Sequence, residues 1–251
     1  MPSLNCVVVI PARMDATRLP GKPLADIAGA PMIVRVWRSA VAARVGPVVV
    51  AAGDEEIVTA VQAAGGTAVL TDPQLPSGTD RVFAAVQAFD PDARHDVVIN
   101  LQGDLPLFEP SNLRAVRDTL DASGADIATL AAPIADAADF ENPNVVKPVM
   151  SWEKGKTYAR ALYFSRSRVP SGVGDLYHHI GIYAHRRQAL ARFVSLPPSP
   201  LEKRENLEQL RALEDGMAIV VGIVDKPPLS VDTPADLARV CEAARLESRP
   251  R

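Results

Sequence analysis

The chain has 251 residues, with 27 basic and 30 acidic side chains and a formal net charge of −3. That length buries a sizeable core without disulfide or metal staples, and 47 % hydrophobic with 23 % charged residues excludes extensive disorder. No apolar run approaches the roughly 18 residues of a membrane helix. No basic-then-apolar leader opens the chain, and a pI near 5.8 argues against bulk nucleic-acid binding.

The first half alternates strand and helix patterns. Residues 6–10 (CVVVI) are a β-branched apolar run, as in a strand buried on both faces. Met32–Ala43 carries Ile33, Val36, Trp37, Ala40 and Val41 at helical spacing. Residues 47–52 read as a strand and 54–64 as a helix, with Asp54 as N-cap and Gly65-Gly66 as its stop. A short strand at 68–70, a helix at 80–89, a strand at 96–101, a helix at Pro110–Ser123 and a strand at Ile127–Pro133 follow. This alternation predicts an α/β fold, a three-layer α/β/α sandwich with a mainly parallel sheet.

After about residue 135 the rhythm changes. Strand patterns at 145–150, 157–165 and 178–185 follow one another without helices, so a β-rich insertion over 135–185 is expected inside one domain of 1–251. Helices at 186–195 and 200–216, a strand at 219–224 and a last helix from Thr233 restore the α/β pattern. Cys6 and Cys241 show no metal-ligand spacing, and His95, His178, His179 and His185 form no zinc motif. Two idle thiols in a reducing cytoplasm are therefore expected.

The first strand runs into a loop, Pro11-Ala12-Arg13 through Arg18-Leu19-Pro20-Gly21-Lys22-Pro23. Ligands of open α/β sheets bind beyond the carboxyl ends of strands. Here that position holds Arg13, Arg18 and Lys22, whose forked and point-charge donors complement a polyphosphate. The loop is neither a Walker A motif nor G-x-G-x-x-G: Ala16 stands where Walker A needs Gly, and Pro23 where it needs Ser or Thr. Asp104 follows the strand at 96–101 through Gln102-Gly103, and Asp232 precedes the helix start Thr233-Pro234. Two carboxylates converging near a polyphosphate are the hard oxygen ligands Mg²⁺ prefers. The plainer reading of Asp232 is a helix-start residue.

The run P-A-R-x-x-x-T-R-L-P-G-K-P-L resembles the signature loop of cytidylyltransferases that activate acidic sugars, the 3-deoxy-manno-octulosonate (Kdo) cytidylyltransferase or CMP-Kdo synthetase family. Further blocks keep the resemblance in register: Ser77-Gly78-Thr79-Asp80-Arg81, Asn100-Leu101-Gln102-Gly103-Asp104, Asn142-Pro143-Asn144-Val145-Val146-Lys147, Ala161-Leu162-Tyr163-Phe164-Ser165-Arg166, His179-Ile180-Gly181-Ile182-Tyr183, Leu207-Glu208-Gln209-Leu210-Arg211 and Val231-Asp232-Thr233-Pro234. The resemblance implies a nucleotide-diphospho-sugar transferase-like fold. It implies the reaction CTP plus Kdo giving CMP-Kdo plus pyrophosphate, for lipopolysaccharide synthesis.

Carried onto this chain, the resemblance gives Arg13, Lys22, Asp104 and Asp232 as catalytic residues, with Mg²⁺ held by Asp104 and Asp232. It gives Pro11, Ala12, Ser77 and Gly78 with Arg13, Lys22 and Asp104 as the CTP site. Arg18, Arg81, Gln102, Arg166, His179, Tyr183, Glu208 and Gln209 fall at sugar-binding positions. Glu208 and Gln209 also fit an ordinary amphipathic helix, His179 a structural strand histidine and Ser77-Gly78 an ordinary turn. A homodimer completed by the β-rich insertion is implied, with small-molecule substrates and no nucleic-acid or membrane partner. Two departures stand out: Leu105 occupies a position where the family often has Glu, and the stretch 170–177 is short. The alternatives are a CMP-sialic acid synthetase-like enzyme, a glycosyltransferase of related topology, or a non-catalytic nucleotide-binding regulator on the same fold.

Overall fold

The computed structural model describes residues 4–15 and 18–247, so Ala16 and Thr17 of the signature loop lie outside the described residues. In chain order the first elements are β1 (Cys6–Ala12), β2 (Asp26–Ile27), β3 (Ala30–Pro31), α1 (Met32–Ala43), β4 (Val48–Ala52), α2 (Glu55–Ala63), β5 (Thr67–Leu70), α3 (Gly78–Phe89) and β6 (Val97–Leu101). They continue with α4 (Pro110–Ser123), β7 (Ile127–Pro133), β8 (Lys147–Trp152), β9 (Tyr158–Ser165), β10 (Tyr177–Arg186), α5 (Arg187–Ser195), α6 (Pro200–Glu205), α7 (Gln209–Glu214), β11 (Ile219–Ile223) and α8 (Pro234–Glu247). The chain divides into two compact units: Met1–Leu113 with Pro228–Arg251, and Arg114–Pro227.

In the first unit β1 pairs in parallel with β4 and β6, and β4 with β5, giving the order β5-β4-β1-β6. Every residue of β1, β4 and β6 is buried, which is what their near-continuous apolar sequences require of a parallel sheet; the polar Asn100 in β6 accepts a hydrogen bond from Gln102 Nε2. Helix α1 buries Met32, Ile33, Val36, Ala40 and Ala43. Val41, expected among its apolar residues, is exposed because it falls off that 3.6-residue stripe. Asp54 has the extended backbone of an N-cap but does not cap α2; its Oδ2 accepts the Met14 N–H at 2.7 Å and so ties the first loop down. The hairpin β2–β3 is too short to leave a sequence signal. Its Ile27 packs with Met32, Val231, Val240 and Ala244, which seats α8 within this unit.

In the second unit β7 lies between β10, antiparallel to it, and β11, parallel to it; β9 pairs antiparallel with β11 and with β8. The strands of the β-rich stretch share a sheet with β7 and β11. The helix expected over 200–216 is two helices. Asn206 adopts the left-handed conformation (φ 53°, ψ 50°) and ends α6, and α7 restarts at Gln209. Phe164, Phe193, Leu210, Ile127 and Val221 share the core of this unit. Cys6 and Cys241 are thiols, and no described helix is long and apolar enough to cross a membrane.

Candidate active site

Strands β1 and β6 are parallel neighbours, so their carboxyl ends open on the same edge of the first unit. Gly103 follows β6, and a Cβ there would lie 2.8 Å from the Pro11 carbonyl oxygen. Only glycine lets the two strand ends approach this closely. Beyond them lies a cleft of about 390 Å³ lined by Pro11, Ala12, Arg13, Arg18, Lys22, Ser77, Gly78, Arg81, Gln102, Asp104 and Asp232, together with Asp15. The candidate residues that belong to the first unit thus meet in one place.

Lys22 is at its centre. Gly21 takes a left-handed conformation (φ 70°), its N–H bonds to the Met14 carbonyl at 3.2 Å, and the Lys22 N–H bonds to Leu19 O at 3.1 Å. This closes the loop and turns the lysine inward. Its Nζ donates to Asp104 Oδ2 at 2.9 Å, to the Val231 carbonyl at 2.9 Å and to Asp232 Oδ1 at 3.4 Å. Arg18 Nη2 stands 3.1 Å from Asp232 Oδ1. The two carboxylates come from distant parts of the sequence, and a Val231 N–H bond to Asp104 O at 3.0 Å holds them in register.

Asp232 stands at the start of the last helix, as its plainer reading has it, but its side chain does not cap that helix. Helix α8 is capped by Thr233, whose Oγ1 accepts the Asp236 N–H, while Asp236 Oδ2 accepts the N–H groups of Thr233 and Asp232. The Asp232 carboxylate stays in the cleft. Burial alone would raise the Asp236 carboxyl, but these hydrogen bonds hold it below the usual range. Leu105 is buried and adds no oxygen to the Asp104 site.

At the start of α3, Ser77 is an N-cap. Its Oγ accepts the Asp80 N–H at 3.2 Å and also donates to Asp80 Oδ2 at 2.7 Å. Gly78 faces the Pro11 ring, where a Cβ would lie 3.6 Å from Cγ. Arg81 is only 2 % exposed. Its Nη1 donates to Thr71 Oγ1 (2.6 Å) and the Asp72 carbonyl (3.0 Å), and its Nη2 to the Pro73 carbonyl (3.3 Å). Burial and the charge of Arg13 lower its pKa. Gln102 donates through Nε2 to Asn100 Oδ1 at 3.2 Å.

The remaining candidates belong to the second unit. Arg166 is a bracket: Nε donates to the Glu205 carbonyl, Nη1 to that of Pro143 and Nη2 to that of Asn206. Glu205 in turn accepts from Ser165 Oγ and Arg166 N, and completely buried Lys147 donates to the Asn142 and Arg166 carbonyls. His179 and Tyr183 are neighbours, with ring centroids 5.5 Å apart, and Gln209 is buried near the start of α7. Burial, reinforced by Glu208, pushes the Tyr183 phenol well above its ordinary pKa, so it stays protonated. Burial and the adjacent His178 hold His179 at about 3, so it is neutral.

Sequence reasoning missed Asp236, Glu205 and Thr129, whose Oγ1 lies 3.0 Å from His179 Nε2. The T-x-x-D spacing of Thr233 and Asp236 carries a signal for the first; the others depend on contacts far along the chain. Among the described residues no group of three or more His, Cys, Asp or Glu side chains is placed to hold a metal. The donor set around Lys22 Nζ is instead two carboxylates and one carbonyl. Such oxygens suit a divalent cation that completes its shell with phosphate and water.

A parallel α/β sheet whose strand-end cleft gathers a cationic loop and two aspartates defines a nucleotide-binding enzyme of the transferase type. The cytidylyltransferase family model matches residues 7–219. The chain is 63 % identical to the 3-deoxy-manno-octulosonate cytidylyltransferase of Parvibaculum lavamentivorans, over 93 % of this chain and 90 % of that one. It is 57 % identical to the same-named protein of Paramagnetospirillum magneticum, over 95 % and 97 %. A solved structure of CMP:2-keto-3-deoxy-manno-octonic acid synthetase complexed with CTP superposes with a TM-score of 0.89 at 38 % identity, covering 97 % of this chain and 99 % of that one. The chain belongs to the 3-deoxy-manno-octulosonate cytidylyltransferase family, and it is an enzyme of the nucleotidyltransferase class.

Proposed function

We propose that the chain catalyses CTP + Kdo → CMP-Kdo + pyrophosphate. The observation that carries this reading is the meeting of Lys22, Asp104 and Asp232 in a strand-end cleft of a chain so similar to enzymes of that name. The sugar 2-hydroxyl oxygen bonds to the α-phosphorus in line. The bond to the bridging oxygen of the β-phosphate breaks, pyrophosphate departs, and the hydroxyl proton passes to solvent. Such a displacement depends on positioning and charge neutralisation.

Arg13 and Lys22 hold the triphosphate and stabilise the charge gathering on pyrophosphate. Pro11, Ala12, Ser77 and Gly78 present small groups and backbone to the cytosine. Asp104 and Asp232 would hold Mg²⁺. When bound, the ion supplies charge to the phosphate oxygens and lowers the pKa of the attacking hydroxyl. Arg18 and Gln102 in the first unit, and His179, Tyr183, Glu208 and Gln209 in the second, are the side chains that the resemblance assigns to the acidic sugar. Arg81 and Arg166, which the resemblance also assigns to the sugar, brace the loops whose carbonyls they bind. The family resemblance also supports a homodimer, which light scattering on the purified protein checks, and a cytoplasmic location, which cell fractionation checks.

The test is pyrophosphate release from CTP with Kdo as acceptor, with and without Mg²⁺. Turnover that needs both supports the reading. Release with sialic acid in place of Kdo, or CTP binding without any release, favours the alternatives.

A further inference from the structure

Thr129 lies in β7 and is completely buried. It faces a shift of register in β10, between Ile180 and Tyr183. There its Oγ1 is 3.1 Å from the Ile180 carbonyl oxygen, 2.9 Å from that of Ile182, and 3.0 Å from His179 Nε2. A hydroxyl carries one hydrogen, and a carbonyl can only accept. The hydrogen therefore goes to the carbonyl pair, and Oγ1 turns a lone pair toward the imidazole. The contact is complete only if Nε2 carries the proton.

His179 is nine-tenths buried, between the Phe164 ring (4.9 Å between centroids) and that of Tyr183 (5.5 Å). Burial there disfavours the imidazolium. One neutral tautomer remains, with a bare lone pair on Nδ1. Among the described residues, none donates a hydrogen bond to that nitrogen.

We propose that Thr129 is a positioning residue that fixes His179 as the Nε2–H tautomer, so that Nδ1 accepts a hydrogen bond from a hydroxyl of the acceptor sugar. This rests on the reading above that His179 contacts the sugar. It sharpens that reading: a lone pair welcomes a hydroxyl and repels a carboxylate, so His179 selects for the polyol part of the acid and leaves its carboxylate to cations. Thr129 touches no substrate and acts only through the ring.

The test combines ¹⁵N NMR of histidine-labelled enzyme, assigned with His179→Gln, and steady-state kinetics. In the wild type, Nε2 of His179 is expected to be protonated and Nδ1 unprotonated. In Thr129→Val the two ring nitrogens exchange character as the tautomers mix. KM for Kdo rises about tenfold, the factor for one lost hydrogen bond of about 1.4 kcal/mol. KM for CTP and kcat stay close to wild type, and Thr129→Ser restores both the spectrum and KM. A wild-type His179 protonated on Nδ1 overturns the proposal whether or not the valine variant folds. So does a folded valine variant with unchanged KM for Kdo. Wild-type enzyme that does not turn Kdo over overturns the substrate reading instead, and leaves the wild-type spectrum to decide the role of Thr129.

Discussion

Lys22 shows how much one side chain carries in this site. Its ammonium stands among Asp104, Asp232 and the Val231 carbonyl, and its own position depends on the left-handed Gly21. Lys22→Met takes away the cation that Asp104 and Asp232 share, leaving Arg18 on Asp232 alone, and, on the proposed reading, a phosphate contact. Turnover in the pyrophosphate assay should fall by about 10²–10³-fold. Asp104→Asn and Asp232→Asn should fall by a similar order of magnitude. Both variants should unfold near the wild-type denaturant midpoint, since both carboxylates are partly solvated. Arg81 is expected to behave differently. It spends its donors on Thr71, Asp72 and Pro73 in a buried setting, so Arg81→Met should cost roughly 1–3 kcal/mol of stability, read by urea unfolding.

At the scale of elements, helix ends and breaks do the positioning. Thr233 caps α8 and so releases Asp232 to the cleft; Thr233→Ala should cost about 1 kcal/mol in chemical unfolding and raise KM for CTP as Asp232 loosens. The break between α6 and α7 frees Glu205 to accept from Ser165 and Arg166, and Glu202 takes a two-point hydrogen bond from Arg211. Burial would raise both carboxyls, but their donors hold both below the ordinary range. As pH falls, the unfolded chain therefore binds protons at these groups before the folded one does. Their stabilisation is present above the ordinary carboxylate range and is lost as pH drops through it. Glu205→Gln should accordingly flatten the acid limb of a Tm-against-pH profile. None of this break is legible in residues 200–216, because an amphipathic stretch reads as one helix until a long-range partner turns a residue aside. By contrast β1, β4 and β6 are legible: a strand buried on both faces reads as a near-continuous apolar run.

At the scale of the whole molecule, the net charge of −3 hides a cleft lined by four cations and three carboxylates, Arg13, Arg18, Lys22 and Arg81 against Asp15, Asp104 and Asp232. A polyphosphate and a divalent cation fit that local balance better than either alone. Arg13 and Asp104 were legible because they follow strands β1 and β6, where a parallel sheet exposes whatever comes after the apolar run; Asp232, in the irregular stretch before α8, was favoured over a plain helix-start residue only through the resemblance. The supports of the second unit were not legible: Lys147, Arg166 and Glu205 meet only after the strands pair, and Thr129 is one hydroxyl in an apolar strand. The same burial makes the fold sensitive to acid. His179 titrates at about 3 when folded and near 6.5 when not, so the unfolded state gains protons first and stability should fall as pH is lowered from about 6.5 toward 3. Thermal unfolding across that range checks it, with His179→Gln less steep than wild type. The most direct measurement for the central claim is pyrophosphate release from CTP across a panel of acidic sugars. Release that requires Kdo and a divalent cation, and is lost in Asp104→Asn, is the predicted result; equal release with sialic acid, or none with Kdo, would contradict it.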